Sequence, residues 1–205
     1  FTVGATYHSK TSLSDLETDS SGALLSAPTP SGTPAVIGAG KIKVVDFQWP
    51  ATYGLGIAWK ANKELMIAAD VKVIGWKDVM KSFKMTYEGP VMGAGGNAIS
   101  FAMPQNWKDQ TVIELGAAYL FTPEFTGRIG VNLANNPIPD ADINYLFPAT
   151  IENSYTLGAG YAFSKAASID FSIVFAPEVK VTNSSSGITT SHSQMNEQIM
   201  FSYRF

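Results

Sequence analysis

The sequence predicts an all-β protein, an antiparallel transmembrane β-barrel with about eight strands present, and three observations lead to this fold class. Apolar and polar residues alternate with a period of two in several segments, as in strands that have one apolar face. The connections between these segments are alternately short and long, which is typical of barrels in bacterial outer membranes. Aromatic residues gather beside the short connections, as they do at a membrane interface.

The alternation is clearest between residues 107 and 121, where Ile113 and Leu115 alternate with Glu114 and Gly116. The same pattern predicts strands at about residues 1–11, 52–60, 64–73, 125–133, 154–163, 168–176 and 198–205. A further segment, 41–49, is interpreted as the outer half of the strand that ends near Lys60.

The connections predict which ends of the strands lie together. Short turns are expected at residues 61–63, 122–124 and 164–166, and long loops at about 12–40, 78–106, 135–152 and 182–192. The turns should share one end of the barrel with the C-terminus. The aromatic residues expected at that end are Trp59, Tyr119, Phe121, Phe125, Tyr161, Phe163, Tyr203 and Phe205.

Composition excludes several classes of function. The 205 residues contain no cysteine, which excludes a disulfide framework and thiolate metal sites. The formal net charge of -3 argues against a nucleic-acid partner. No apolar run reaches the length of about 18 residues that a transmembrane helix needs.

A soluble sandwich and a membrane barrel both explain strands with one apolar face, and charges within the strands favour the barrel. A wet lumen accommodates the mid-strand residues Asp70, Lys72, Glu114, Arg128 and Asp170. The residues expected to face lipid are Leu65, Ile67, Val71, Leu115, Ile129 and Ile173. An arginine in place of Ile173 is expected to cost about 2–4 kcal/mol if it lies at the bilayer midplane.

The last segment, QIMFSYRF, resembles the C-terminal strand by which bacterial outer-membrane proteins are recognised for assembly. More specifically, the chain resembles the C-terminal part of the long-chain fatty acid transporter family, which includes toluene and other hydrocarbon porins. The segments that carry this resemblance are YHSKT (7–11), WPATYGLG (49–56), ADV (69–71) followed by Trp76, NWKDQ (106–110), NPIPD (136–140), Phe147-Pro148 and GAGY (158–161).

The resemblance implies a barrel of about 14 strands plugged by an N-terminal hatch. Residues 1–205 are accordingly expected to be a single transmembrane β-barrel region, a fragment that lacks the hatch and the first strands. The implied function is a channel for passive uptake of hydrophobic compounds such as long-chain fatty acids across the outer membrane of a Gram-negative bacterium. The implied partners are outer-membrane lipid, a hydrophobic molecule or fatty acid, and the barrel-assembly machinery, which would bind the C-terminal Phe205. A stand-alone eight-stranded structural or adhesion barrel is the alternative, and an outer-membrane enzyme is a third possibility.

Candidate ligand-binding residues come from the second long loop and from the strands. Phe83, Met85, Phe101 and Met103 could offer an adaptable apolar surface to a ligand, although packing of the loop on itself is the favoured explanation. Lys72, Lys108 and Arg128 are candidates for holding an anionic head group, with pairing to Asp70, Glu114 and Asp170 as the alternative. The two histidines, His8 and His192, are far apart in sequence and are assigned polar roles in the lumen or at the surface. No catalytic residue, metal site or cofactor is predicted.

Overall fold

The computed structural model describes residues 1–19, 21–27, 35–89, 98–144 and 147–205. These residues contain one short helix, α1 (Trp76–Val79), and one 3-10 turn, Asp140–Asp142, and no helix among them is long and apolar enough to cross a bilayer. Their thirteen strands are β1 (Thr2–His8), β2 (Leu16–Glu17), β3 (Ala23–Ala27), β4 (Ala35–Val45), β5 (Thr52–Lys60), β6 (Leu65–Ile74), β7 (Ser82–Glu88), β8 (Ala98–Pro104), β9 (Gln110–Leu120), β10 (Phe125–Ala134), β11 (Asn153–Ala162), β12 (Ala167–Thr182) and β13 (Thr189–Tyr203).

Eight of these strands form one antiparallel sheet, which we call the main sheet, in the order β1-β5-β6-β9-β10-β11-β12-β13. They correspond to the eight segments in which period-two alternation predicts strands, so that prediction is confirmed. Among the described residues, β1 and β13 each pair on one side only, and the main sheet does not close on itself. The closed eight-stranded barrel is therefore not the arrangement of this chain. In a bilayer, both edges need further strands to satisfy their backbone groups.

The register of the main sheet separates an apolar face from a polar face. One row across all eight strands is wholly apolar and consists of Val3, Ile57, Ala69, Leu115, Val131, Tyr155, Phe175 and Met195. The adjacent row on the opposite face consists of Gly4, Gly56, Asp70, Glu114, Asn132 and Ser154. Leu55, Ile129 and Leu157 on the apolar face are 63%, 62% and 60% exposed. An apolar face this large and this exposed is suited to lipid rather than water.

A charged residue interrupts the apolar face. The row that contains Ile129 and Ile173 continues onto β13 at Glu197, which lies directly opposite Ile173. Its neighbours on the same face of β13 are Met195 and Ile199, 62% and 71% exposed. A carboxylate among lipid-facing residues is costly, and it changes what a substitution at Ile173 will do.

The prediction of which strand ends lie together is also confirmed. The turns after β5, β9 and β11 lie at the same end of the main sheet as Tyr203, since Leu65 pairs with Tyr119 and Ala167 pairs with Tyr203. At this end aromatic rings contact one another in exposed pairs: Phe1–Trp59, Tyr119–Phe121, Phe121–Phe125, Tyr161–Phe163 and Tyr203–Phe205. Exposed rings in a belt are the arrangement expected at a membrane–water interface.

A second sheet lies at the end of the main sheet opposite the short turns, which we call the outer end. It is built from the long connections. β4 pairs with β2, β3 and β7, and β7 pairs with β8. One face carries ion pairs, in which Lys43 Nζ lies 3.0 Å from Glu88 and 3.5 Å from Glu17, and Lys84 Nζ lies 3.3 Å from Asp46. The hydrogen bond to Glu88 raises the pKa of Lys43 above its ordinary value. The opposite face is apolar and carries Leu16, Val44, Phe83 and Met85.

The structure corrects two sequence interpretations. Segment 41–49 is not the outer half of β5, because residues 41–45 belong to β4 and pair with β7. Asp46 ends β4 in a left-handed conformation (φ 57°), so the chain turns before Pro50. Residues 182–192 are not a long loop: β12 and β13 continue to Thr182 and Thr189, whose hydroxyl oxygens lie 2.9 Å apart. Their Ser and Thr content resembles a loop, but Thr also favours strands.

Candidate ligand-binding cavity

A cavity of about 620 Å³ lies between the apolar face of the second sheet and the outer end of the main sheet. Its volume is within the range of small-molecule binding sites. β2, β4 and β7 supply one wall, and α1, the segments before β5 and β9, the loop after β10 and the outer part of β13 supply the rest. The lining residues are Leu16, Val44, Phe47, Trp49, Trp76, Met80, Phe83, Trp107, Phe147, Pro148, Ala149 and His192.

Six aromatic rings of this wall form a continuous chain of contacts. In order, the ring centroids are separated by 5.1 Å (Trp107–Trp76), 6.0 Å (Trp76–Trp49), 5.7 Å (Trp49–Phe47), 6.2 Å (Phe47–Phe83) and 4.8 Å (Phe83–Phe147). Tilted and edge-to-face contacts at these separations are favourable for aromatic pairs. The wall is therefore built from rigid rings that hold one another in place.

A small buried core fixes the base of the cavity. Met80, Trp107, Ile138 and Ile143 are at most 7% exposed and pack together. The segment before β9 is fastened to the end of α1, since the backbone N–H of Gln105 donates to Lys81 O (3.0 Å) and that of Trp107 donates to Met80 O (3.0 Å). The indole N–H of Trp107 donates to Gln105 Oε1 at 3.0 Å, which turns the polar edge of the ring toward a buried partner.

A β-bulge in β12 orients the side chains in the outer part of the β12–β13 hairpin, beside the cavity. The register of β12 against β13 shifts between Ala176 and Val179, so that Val179 faces His192 across the pair. The extra residue in β12 brings Val179 and Val181 to the same side as His192, and Val181 packs against the buried core. His192 Nδ1 lies 2.6 Å from the carbonyl oxygen of Pro148, which joins β13 to the loop after β10.

Asn183 at the tip of the same hairpin holds the 3-10 turn in place. Its side-chain amide donates to Ala141 O (3.0 Å) and Ile143 O (2.8 Å). Its side-chain carbonyl accepts the backbone N–H groups of Ser185 and Ser186, both at 2.8 Å. One side-chain amide thus forms hydrogen bonds with four backbone groups. These bonds hold the hairpin and the 3-10 turn together at this side of the cavity.

The apolar candidates from the sequence lie on β7 and β8, but only Phe83 is part of the cavity wall. Phe83 is opposite Met103, and Met85 is opposite Phe101, so these residues face one another across the two strands. Met103 Sδ also accepts a hydrogen bond from Asn144 Nδ2 at 3.3 Å. Phe101 is 42% exposed, and packing of the loop on itself, the alternative considered from the sequence, stays a prediction for Met85, Phe101 and Met103.

The basic candidates lie away from the cavity wall. Lys72 Nζ is 3.3 Å from Glu114 Oε1, and Arg128 Nη1 is 2.8 Å from Asp170 Oδ1, both pairs on the polar face of the main sheet. Lys108 is exposed just before β9. The structure thus pairs Lys72 and Arg128 with two of the carboxylates that the sequence proposed as their alternatives.

Sequence reasoning missed most of the cavity wall. Trp49, Trp76 and Trp107 each lie just outside the outer end of β5, β6 or β9, and Phe147 and His192 come from distant segments. The recurrence of Trp at three outer strand ends was a usable signal. The contributions of Phe147 and His192 were not detectable, because each depends on how a loop folds back.

Glycines on β11 create the space that the Arg128–Asp170 pair occupies. Arg128 on β10 reaches over Gly158 and Gly160 to Asp170 on β12. A Cβ atom at Gly160 would lie 2.5 Å from Asp170 Oδ1 and 2.9 Å from Arg128 Nη1. The charged ends of two flexible side chains would have to separate to admit it.

Replacing Gly160 by alanine is therefore expected to break this ion pair at a small cost in stability. The two side chains are 45% and 27% exposed, so the loss should be about 0.5–1 kcal/mol. Denaturant titrations of the full-length protein in lipid give the free energy of unfolding of Gly160→Ala, Asp170→Asn and the double variant. The difference between the double loss and the sum of the single losses is the coupling between Gly160 and Asp170. Additive losses in the double variant would show that Gly160 has no part in the pair.

An exposed apolar face, an interfacial belt of aromatic rings and a polar face with paired charges are together typical of the strands of a β-barrel in the bacterial outer membrane. A family model described as outer membrane protein transport protein (OMPP1/FadL/TodX) matches residues 1–203. The chain belongs to this family, and it is located in the bacterial outer membrane.

The chain is also similar to solved structures of outer-membrane channels. The chain is 31% identical to the toluene transporter TodX of P. putida (TM-score 0.79) and 29% identical to the toluene transporter TbuX of Ralstonia pickettii (TM-score 0.74). It is 26% identical to the monoaromatic hydrocarbon channel CymD, with a TM-score of 0.73. These comparisons cover 99% of this chain and 43–47% of the other chains, so the chain spans less than half of their length. No curated protein matches the sequence.

Proposed function

We propose that this protein acts in passive uptake of hydrophobic small molecules across the outer membrane, and that the cavity is the first site such molecules bind. The observation that carries this proposal is the chain of six aromatic rings around a volume of about 620 Å³. An apolar cavity at the outer end of the main sheet collects a sparingly soluble compound before it enters the barrel. Transport of this kind requires no chemical reaction.

Neutral aromatic hydrocarbons suit this cavity better than long-chain fatty acids. Among the described residues, no Lys or Arg belongs to its wall, and Lys72 and Arg128 are already paired with carboxylates. A fatty-acid carboxylate would therefore enter an apolar site without a cation to pair with it, which is unfavourable. The names of the three solved relatives, two toluene transporters and a monoaromatic hydrocarbon channel, agree with the hydrocarbon class.

We also propose that Phe205 binds the barrel-assembly machinery. Phe205 is fully exposed at the interfacial end of the main sheet, next to Tyr203 at 5.2 Å between ring centroids. An exposed aromatic residue beside the edge of β13 that has no partner among the described residues offers the barrel-assembly machinery both an apolar contact and a strand edge.

Tryptophan fluorescence provides the test of the binding site. Three of the four tryptophans, Trp49, Trp76 and Trp107, belong to the cavity wall, whereas Trp59 lies at the opposite end of the main sheet. The full-length protein carrying Trp59→Phe, in lipid nanodiscs, should show a saturable fluorescence change with toluene. Ala149→Phe places an extra ring in the wall and should weaken toluene binding at least about tenfold.

Ala5→Phe is the matched control, because Ala5 lies on the apolar face of β1, between Val3 and Tyr7. It adds the same ring outside the cavity and should leave the toluene titration unchanged. A non-saturable signal that is equal in all three proteins would mean that toluene only dissolves in the lipid, and the binding proposal would be wrong. Saturable binding of a long-chain fatty acid, with no response to toluene, would instead select fatty acids as the substrate.

A further inference from the structure

We propose that Glu197 forms an ion pair with a Lys or Arg residue of the strand that pairs with the free edge of β13, which we call the closing strand. This pair lies on the apolar face and sets the register in which the barrel closes. The starting observation is a carboxylate in an apolar setting. Glu197 lies between Met195 and Ile199 on the apolar face of β13, and these two neighbours are 62% and 71% exposed.

The position of Glu197 along β13 places it inside the apolar band of the membrane. It precedes Tyr203 by six residues, which is about 20 Å along a strand. Because the strands of outer-membrane barrels are tilted by about 40°, Glu197 lies about 15 Å from the level of the aromatic belt to which Tyr203 belongs. The apolar band is about 25 Å tall. A carboxylate without a partner is costly at that depth.

The neighbouring strand β12 supplies no cation for this carboxylate. Glu197 is directly opposite Ile173, and the diagonal positions on the same face are Phe171 and Phe175. Within the described part of the chain, Glu197 takes part in no ion pair and no side-chain hydrogen bond. A protein partner must therefore come from the other edge of β13, which pairs with none of the described strands.

The bilayer requires a strand at this edge, because an open edge in lipid leaves backbone groups without hydrogen-bond partners. The solved relatives are more than twice as long as the part that this chain matches, which leaves ample length for such a strand. Residues directly opposite each other on neighbouring strands have Cβ atoms about 5 Å apart, and opposite charges at such positions attract. A Lys or Arg of the closing strand opposite Glu197 is thus within reach of the carboxylate.

An ion pair at this place distinguishes the correct register of closure from its neighbours. A slip of one residue moves every side chain of the closing strand to the other face, and a slip of two residues moves the cation about 7 Å along the strand. Either slip leaves Glu197 without a partner in lipid. A carboxylate has two oxygen atoms, so pairing with the closing strand still leaves one of them accessible from the side of Ile173.

The sign of the stability change in Glu197→Leu tests the inference. The full-length protein is titrated with denaturant in phosphatidylcholine bilayers, whose headgroups have no N–H donor to replace a protein partner. Glu197→Leu should leave the cation of the closing strand unpaired, so the equilibrium constant of unfolding should rise at least about tenfold. Glu197→Gln, which keeps the size of the side chain, should change it in the same direction. An unpaired carboxylate would give the opposite result, because leucine is the better residue in lipid. Unchanged or increased stability in Glu197→Leu therefore overturns the inference.

The closing strand provides a second test. Each Lys or Arg on its lipid-facing side is replaced by leucine, alone and together with Glu197→Leu. For one of these residues the double variant should be at least as stable as Glu197→Leu, since two apolar side chains replace the ion pair. This double variant should fold even if Glu197→Leu does not. A closing strand without Lys or Arg on that side, or strictly additive losses, would rule the ion pair out.

Leu157→Glu is the matched control, because Leu157 lies in the same register row as Glu197, two strands away from the free edge. It adds a carboxylate that has only Ile129 and Ile173 opposite it, so it should destabilise the protein in the same bilayers. If Leu157→Glu is as stable as the unaltered protein, this row does not lie in lipid, and the inference is wrong.

Discussion

Replacing Trp107 by alanine is expected to destabilise the outer region of the protein, the part built around the buried core at the base of the cavity. The expected loss is about 3–5 kcal/mol, the usual cost of deleting a large buried aromatic side chain. Trp107 is 7% exposed and packs with Met80, Ile138 and Ile143. Its loss also removes the donor to Gln105 Oε1, on a residue whose Nε2 already has no partner among the described residues. A buried amide left without partners adds to the cost of the cavity.

Native-state hydrogen exchange of the full-length protein measures this effect locally. The amides of Met80, Gln105 and Lys108, which donate to Trp76 O, Lys81 O and Pro137 O, should exchange about two to four powers of ten faster in Trp107→Ala. Trp59→Ala is the matched control, because Trp59 is 44% exposed and stacks on Phe1 at 6.0 Å. It should leave those three amides unchanged. Equal acceleration in both variants would show that the outer region does not unfold as a separate unit.

Replacing Ile129 by arginine is expected to cost about 2–4 kcal/mol in a lipid bilayer. Ile129 is 62% exposed on the apolar face and lies between Ala117 and Leu157 in the register, with no carboxylate opposite. A guanidinium group there would lose its hydration without gaining a partner. Denaturant titration of the full-length protein in lipid measures the loss, with Gln198→Arg on the polar face as the control that should cost little.

The same row of residues changes the expectation for Ile173→Arg. Glu197 lies directly opposite Ile173, so an arginine at that position gains a carboxylate partner. We therefore expect Ile173→Arg to cost clearly less than Ile129→Arg, and expect the difference to vanish when Glu197→Leu is added. Equal losses in Ile173→Arg and Ile129→Arg, with or without Glu197, would contradict the register-based assignment.

The sequence by itself determined the main sheet. Its strands alternate with a strict period of two over some ten residues each, and the alternation reports directly which side chains share a face. The three short turns then leave little choice of partner for the strands they join. The positions of Leu115 and Glu114 on opposite faces, and of Tyr161 and Phe163 at the interfacial end, follow from local pattern alone.

Only the tertiary structure decided the second sheet and the cavity. β4 and β7 are separated by more than 30 residues, and nothing in residues 41–45 specifies that they pair with residues 84–88 rather than extend β5. His192 and Pro148 meet across 44 residues because a bulge in β12 reorients the hairpin and a loop folds back onto it. Such contacts depend on loop closure and on packing between distant segments, which no periodicity encodes. The lipid-facing sheet was therefore predictable, and the cavity was not.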